Sequence, residues 1–314
     1  MGLMLNGTYL VDDPGPDTRE GGEFQRAKST LRDWVTPDGR FTPDTGRYHV
    51  YAAWNCPWAH RVLLARAILR LENKISVSVA KPRRTDQGWV FDPSGEYADP
   101  ALSVLSLHQV YSHQTPAYTG RITVPVLWDR KTNHIVSNES ADIIRMLGAF
   151  GGPDLYPDAL RKDIDAWNAR IYPGLNNGVY RTGFARTQEA YEKGFTDVFE
   201  TLDAMETQLS QTRYLTGDTF TEADLRAFPT LARFDVAYHY AFKCNLRKLV
   251  DYPNLWAYAR EIYAMPGVAE TVKFDIYKQG YFSPSELRNP LGIVPLGPEL
   301  ADWHAPHGRG HITL

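Results

Sequence analysis

From Tyr48 to Trp54 the chain reads Tyr-His-Val-Tyr-Ala-Ala-Trp, a β-prone stretch followed directly by Asn55-Cys56-Pro57. Proline suits the first position of a helix, so a strand ends and a helix begins at the cysteine. Val62, Leu63, Ala65, Ala67, Ile68 and Leu71 recur at helical spacing and predict a helix from about Trp58 to Leu71. Ile75 to Val79 reads as a second strand, completing a βαβ unit whose strands run parallel. After a polar and aromatic insertion from Lys81 to Gly120, Ile122–Trp128 and Ile135-Val136 predict a hairpin turning near Arg130 to Asn133. A helix from Glu139 to Leu147 closes the unit.

Gly148 to Pro157 carries three glycines and two prolines, the sharpest composition break inside the chain. Beyond it the apolar period is helical, predicting helices over Ala159–Ile171, Gln188–Leu209, Glu222–Ala241 and Leu255–Met265. Thr221-Glu222-Ala223-Asp224 resembles a capping box with Asp in place of Glu, and Phe220 with Leu225 suits a hydrophobic staple. The first 45 residues, including Asp12-Asp13-Pro14-Gly15-Pro16-Asp17, hold no sustained period and read as an extended arm. The expected organisation is an arm over 1–45, a mixed α/β domain over 46–150 and an all-helical domain over 151–314 with an irregular C-terminal extension from Asn289.

Composition narrows the function classes. The 314 residues are 43% hydrophobic and 23% charged, ordinary for a globular protein of two domains. Lys plus Arg is 34 against 37 Asp plus Glu, a net charge of -3, so the electrostatic footprint of a nucleic-acid or anionic-membrane partner is missing. Two cysteines, Cys56 and Cys244, exclude a disulfide framework and a cysteine-rich zinc site. The N-terminal residues have no signal-peptide pattern, and no apolar run approaches a membrane span. A soluble cytoplasmic protein without a metal is expected.

A thiol attacks as thiolate, and the unpaired N–H groups and macrodipole of a helix N-terminus favour that form. Cys56 occupies such a place, and Cys56-Pro57-Trp58-Ala59 lacks the second cysteine of a redox pair, so its chemistry is monothiol. Val124-Pro125 puts proline at a strand start, where a cis peptide or an ordinary edge-strand proline both fit. Ser137-Asn138-Glu139-Ser140 fits a helix cap. It also fits a site for the zwitterionic γ-glutamyl end of glutathione, with a carboxylate at the helix N-terminus and an ammonium at Glu139.

Five segments in order carry a resemblance: Asn55-Cys56-Pro57-Trp58-Ala59-His60-Arg61, Val124 to Asp129, Asn138-Glu139-Ser140, Asn176 to Tyr180, and Phe242-Lys243-Cys244-Asn245. From about Trp34 to Gly308 the chain resembles the glutathionyl-hydroquinone reductases, the Xi class of glutathione transferases. The resemblance implies an α/β thioredoxin-like N-terminal domain, an all-α glutathione-transferase C-terminal domain and a homodimer. It implies glutathione-dependent reduction of glutathionyl-hydroquinones, with glutathione as co-substrate and no bound cofactor. Carried over, Cys56 is the nucleophile, and Trp89, Arg121, Val124, Glu139 and Ser140 match glutathione contacts. Tyr180 and Tyr281 match catalytic tyrosines, and Tyr238 joins them at the aromatic site. Lys278-Gln279-Gly280-Tyr281-Phe282 departs from relatives that carry His and a second Tyr there, which alters the expected shape of the aromatic pocket. Rival readings are an omega-like thioltransferase or dehydroascorbate reductase, and a non-catalytic binding protein on the same fold. Cys244 is assigned to packing.

Overall fold

A computed structural model describes residues 2–11, 21–286 and 288–310. They divide into two compact units, residues up to Val11 with Ala27–Pro153, and residues 21–26 with Asp154 onward. Asp12 to Asp17 of the expected arm and the last residues of the expected C-terminal extension, 311–314, lie outside the described residues.

The first unit contains β1 (Leu3–Leu5), β2 (Thr8–Leu10), β3 (Tyr48–Ala53), α1 (Pro57–Ile68), β4 (Ser76–Ala80), α2 (Leu107–Gln114), β5 (Gly120–Arg121), β6 (Val126–Asp129), β7 (His134–Ser137) and α3 (Ser140–Leu147). A four-stranded sheet has the order β4-β3-β6-β7. β3 and β4 are parallel, whereas β6 runs antiparallel to β3 and β7 antiparallel to β6. This βαβ unit followed by a hairpin is the thioredoxin-like arrangement. Every residue of β3 is buried, which explains why its sequence does not alternate.

His49 is the polar exception in that strand. Its Nδ1 and Nε2 each lie 2.8 Å from a hydroxyl, those of Ser76 and Ser78. Ser78 gives its proton to Asp99 Oδ1 at 3.1 Å, so it accepts from Nε2. Burial lowers His49 to about 3, keeping the ring neutral. Asp99 accepts from the N–H groups of Ala101, Leu102 and Val104, and so ties the insertion after β4 to the sheet.

Two elements of this unit exceed the sequence expectation. Residues 3–10 form a hairpin whose β1 also pairs with β5, where only an extended arm was expected. Its turn is Asn6-Gly7, both at positive φ (47° and 81°), as a two-residue hairpin turn requires. The insertion holds α2, opened by a capping box between Ser106 and Gln109.

The second unit contains α4 (Arg161–Ile171), α5 (Gly178–Gly183), α6 (Gln188–Leu209), α7 (Glu222–Arg233), α8 (His239–Ala241), α9 (Pro253–Tyr263) and α10 (Phe274–Tyr281). Among the described residues its regular elements are all helical. The expected helix over Glu222–Ala241 is broken, because a π-turn at Phe234–Tyr238 separates α7 from α8. A second π-turn, Tyr172–Asn176, follows α4. Buried Asn176 donates to Arg226 O at 3.0 Å and to Thr230 Oγ1 at 2.8 Å, anchoring that turn to α7. The capping box is present, with Thr221 N donating to Asp224 Oδ2 at 2.8 Å. Leu215 N and Tyr258 OH add bonds to Asp224 Oδ1, at 2.9 and 2.7 Å. The irregular tail is pinned by Arg309, which donates to Glu261 Oε2 and to the carbonyls of Thr212 and Arg213.

Candidate active site

Cys56 is the N-cap of α1, with extended backbone (φ -83°, ψ 117°), Pro57 at the first helical position and no acidic residue in the first turn. The central strand β3 delivers it there, and its carbonyl accepts the bond from His60 N at 2.9 Å. The thiol is partly exposed and lies 3.6 Å from Val124 O. The Val124-Pro125 peptide is cis. Sulfur therefore sits where helix N–H groups favour an anion, beside the backbone of a segment that precedes β6.

Glu139 is the N-cap of α3, and its Oε1 accepts from Ala141 N at 3.1 Å, so the capping geometry is realised. Ser140, the first helical residue, is buried and receives a bond from Arg61 Nη1 at 3.4 Å. The Arg61 guanidinium also stands 4.5 Å over the Trp58 ring. Direct contacts thus join Cys56 to Val124, and the Cys56 helix to Ser140. Trp89 comes from the insertion, buried under the Arg84 guanidinium at 5.4 Å, and Arg121 from β5, opposite Leu3.

In the second unit the structure gathers all three tyrosines. Tyr281 OH lies 2.7 Å from Tyr180 OH and 2.8 Å from Tyr238 OH. Tyr180 belongs to α5, Tyr238 closes the π-turn Phe234–Tyr238 and Tyr281 closes α10, so three elements far apart in sequence converge on one hydroxyl cluster. Burial pushes Tyr238 and Tyr281 well above the usual phenol value, so both stay protonated and able to donate.

Four residues with no role expected from the sequence shape this cluster. Phe242 packs with ring centroids 5.3 Å from Tyr180 and Tyr238 and 5.5 Å from Tyr281. Gly183 makes room for it, since a Cβ there would fall 2.2 Å from the Phe242 ring. Phe24 packs near the Tyr180 ring at 6.4 Å, and Arg26 lies over that ring at 4.7 Å while its Nε bonds Asn177 Oδ1 at 2.8 Å. Phe242 and Asn177 fall inside segments carrying the resemblance, whereas nothing local marks Phe24, Arg26 or Gly183. Cys244 is fully buried, and burial pushes its thiol up to about 12.

Among the described residues there is no group of three or more His, Cys, Asp or Glu able to hold a metal ion. No described helix is long and apolar enough to cross a membrane.

Residues 55–149 match the family model for the glutathione S-transferase N-terminal domain, and residues 188–261 that for the C-terminal domain. The chain is 47% identical to glutathionyl-hydroquinone reductase YqjG of Escherichia coli, over 98% of each chain. It is 46% identical to glutathionyl-hydroquinone reductase PcpF of Sphingobium chlorophenolicum, over 95% of this chain and 96% of that protein. The glutathione-bound structure of YqjG superposes with a TM-score of 0.85, covering 89% of this chain and 96% of that one. The Xi glutathione transferase of Phanerochaete chrysosporium does so with a TM-score of 0.88 at 43% identity, over 92% and 97%. With the thioredoxin-like unit opening on a capping cysteine and the helical unit built around joined tyrosines, these likenesses establish that the chain belongs to the glutathione S-transferase family, among its Xi-class glutathionyl-hydroquinone reductases.

Proposed function

We propose that this chain reduces glutathionyl-hydroquinones to hydroquinones at the expense of glutathione, through a mixed disulfide on Cys56. Cys56 thiolate attacks the sulfur of the aryl thioether and forms an S–S bond. The ring reacts as its keto tautomer, in which the hydroxyl proton has moved to the sulfur-bearing carbon, so that as the carbon–sulfur bond breaks its electron pair passes into the ring and the charge settles on the ring oxygen, which then takes up a proton. A second glutathione thiolate attacks the mixed disulfide, releases oxidised glutathione and restores Cys56. The ring gains two electrons and the two glutathione sulfurs lose them, so the balance closes without a metal or flavin.

The observation that carries this reading is the linked set of Tyr180, Tyr281 and Tyr238 hydroxyls. Disulfide exchange has a competent sulfur leaving group and needs no such cluster. Expelling an aryl carbon does need help, and protonated phenols that hydrogen-bond the ring oxygen supply acid and electrostatic stabilisation. For glutathione, the reading assigns its carboxylate to the N–H groups opening α3 beside Ser140, its ammonium to Glu139, and its peptide-like backbone to Val124. Trp89 and Arg121 complete that assignment. A homodimer acting in the cytoplasm belongs to the same reading, supported by the family relationship and, for the compartment, by the low cysteine count.

The test is turnover of glutathionyl-hydroquinone beside a glutathione mixed disulfide, following hydroquinone and oxidised glutathione together. Equal amounts of the two products, at a rate well above that on the disulfide, are expected. Activity confined to the disulfide would make the chain an omega-like thioltransferase.

A further inference from the structure

Arg233 is the last residue of α7, and its side chain is fully buried. Its Nη1 donates to Pro229 O at 2.8 Å, and its guanidinium carbon stands 3.6 Å from the centre of the Tyr277 ring, a close stacked contact. Tyr277 lies one helical turn before Tyr281 on α10, on the same face. On the other side, Arg233 precedes Tyr238 by five residues across the π-turn, whose i to i+5 bonding brings such positions into line. The guanidinium thus stacks on a ring one helical turn from Tyr281, and Arg233 itself stands one π-turn from Tyr238.

We infer that Arg233 is a positioning residue for the aryl-thioether reaction, a buried cation behind the tyrosine cluster that turns its hydroxyl dipoles outward and strengthens them as donors to the substrate's ring oxygen. The inference rests on the tyrosine cluster serving the aryl group, as argued above. Near a cation, a hydroxyl presents its oxygen and sends its proton away. Tyr238 and Tyr281 are linked, and Tyr281 is linked to Tyr180, so that orientation propagates along the hydrogen bonds. Tyr180 and Tyr281 are the partly exposed members of the set, and Tyr238 the fully buried one, so the polarised chain runs from buried to open. The cation's field also acts on the tyrosines directly, opposing the upward push of burial on Tyr238, Tyr281 and Tyr277. In a low-dielectric interior such a charge acts strongly and needs no reorganisation when negative charge appears on the ring oxygen.

The experiment uses 4-nitrophenol as a probe of the aryl site in the full-length protein, since its absorbance reports the phenolate. In the wild-type protein the bound probe is expected to ionise at lower pH than in water. Arg233→Met should raise that ionisation by about one unit, a tenfold change in the phenol–phenolate balance, while Arg233→Lys keeps most of the wild-type shift. Turnover of glutathionyl-hydroquinone by Arg233→Met should fall by about tenfold or more, with turnover of a mixed disulfide little changed. A folded Arg233→Met protein with wild-type probe ionisation and turnover would overturn the inference, as would Arg233→Lys behaving like Arg233→Met, which would mean that shape and not charge matters. Should neither variant fold, the wild-type measurement decides, because a bound probe that ionises at or above its value in water contradicts a cation behind the cluster. Tyr281→Phe separates the two levels of argument, since a probe indifferent to that change does not bind at the tyrosines, and the site reading itself would then fail.

Discussion

The division of labour among Cys56, Tyr180 and Tyr281 is open to test one side chain at a time. Tyr180→Phe and Tyr281→Phe each remove one hydroxyl from the cluster and leave the ring packing. Losing a group that stabilises developing charge typically costs about 10²-fold or more, so turnover of glutathionyl-hydroquinone should drop by that order while a glutathione mixed disulfide is reduced at close to the wild-type rate. Equal slowing on both substrates would reduce the tyrosines to cleft or fold residues. At this scale the sequence was informative wherever local chemistry is local in sequence. Cys56 before Pro57 announces a helix start, and Ser137 to Ser140 announces another. The hydroxyl cluster was not legible from spacing, because Tyr180, Tyr238 and Tyr281 come from three elements and the chain holds eighteen tyrosines. Only the family resemblance singled them out, and it said nothing of Arg26, Gly183 or Arg233, whose surroundings are assembled by tertiary contacts.

At the scale of the element, the capping box at Thr221 to Asp224 was readable, but its weight was not. Asp224 is fully buried and accepts bonds from Thr221 N, Leu215 N and Tyr258 OH, so one carboxylate ties a helix start to the preceding loop and to α9. Asp224→Ala would leave three buried donors without this acceptor and should cost roughly 3 kcal/mol or more in chemical denaturation. Asp224→Asn keeps one of the two accepting oxygens but sets its NH2 against a backbone N–H, so it should cost less than Asp224→Ala without matching the wild type. Similar losses in the two variants would show that the bonds contribute little. Helix interruptions followed no such signal. The apolar period continues from Glu222 to Ala241, yet the chain widens into a π-turn at Phe234, where Asp235 draws the N–H groups of Leu249 and Val250, at 2.6 and 3.3 Å. The hairpin of residues 3–10 has a turn signal in Asn6-Gly7, but Leu3-Met4-Leu5 and Thr8-Tyr9-Leu10 on either side do not alternate, and the density of Gly, Pro and Asp just after them makes the whole stretch read as irregular.

For the whole molecule, buried groups in the two units respond to pH in opposite directions. In the first, burial lowers His49 to about 3 from an ordinary 6.5, so the unfolded chain binds the extra proton between those values. That contribution to stability is complete above pH 6.5 and is lost as pH falls towards 3. Asp129 works the same way, because the bonds from Arg47 and Thr132 hold it below the usual carboxylate value despite burial. In the second unit, burial raises Asp224 to about 6 from 3.8, so its contribution is greatest at low pH and is lost as pH rises through 6. Amide hydrogen exchange, corrected for intrinsic rates, should show β3 and β4 losing protection between pH 6.5 and 4.5 while α7 keeps it; earlier loss in α7 would contradict these assignments. The mixed-disulfide chemistry on Cys56 is tested most simply by intact-mass analysis after mixing the reduced enzyme, stripped of low-molecular-weight thiols, with one equivalent of glutathionyl-hydroquinone and no free glutathione. The expected result is release of the hydroquinone with one glutathione retained on Cys56, the same for Cys244→Ser, and neither product nor adduct for Cys56→Ser. Hydroquinone released without an adduct on Cys56, or by a folded Cys56→Ser protein, would contradict it.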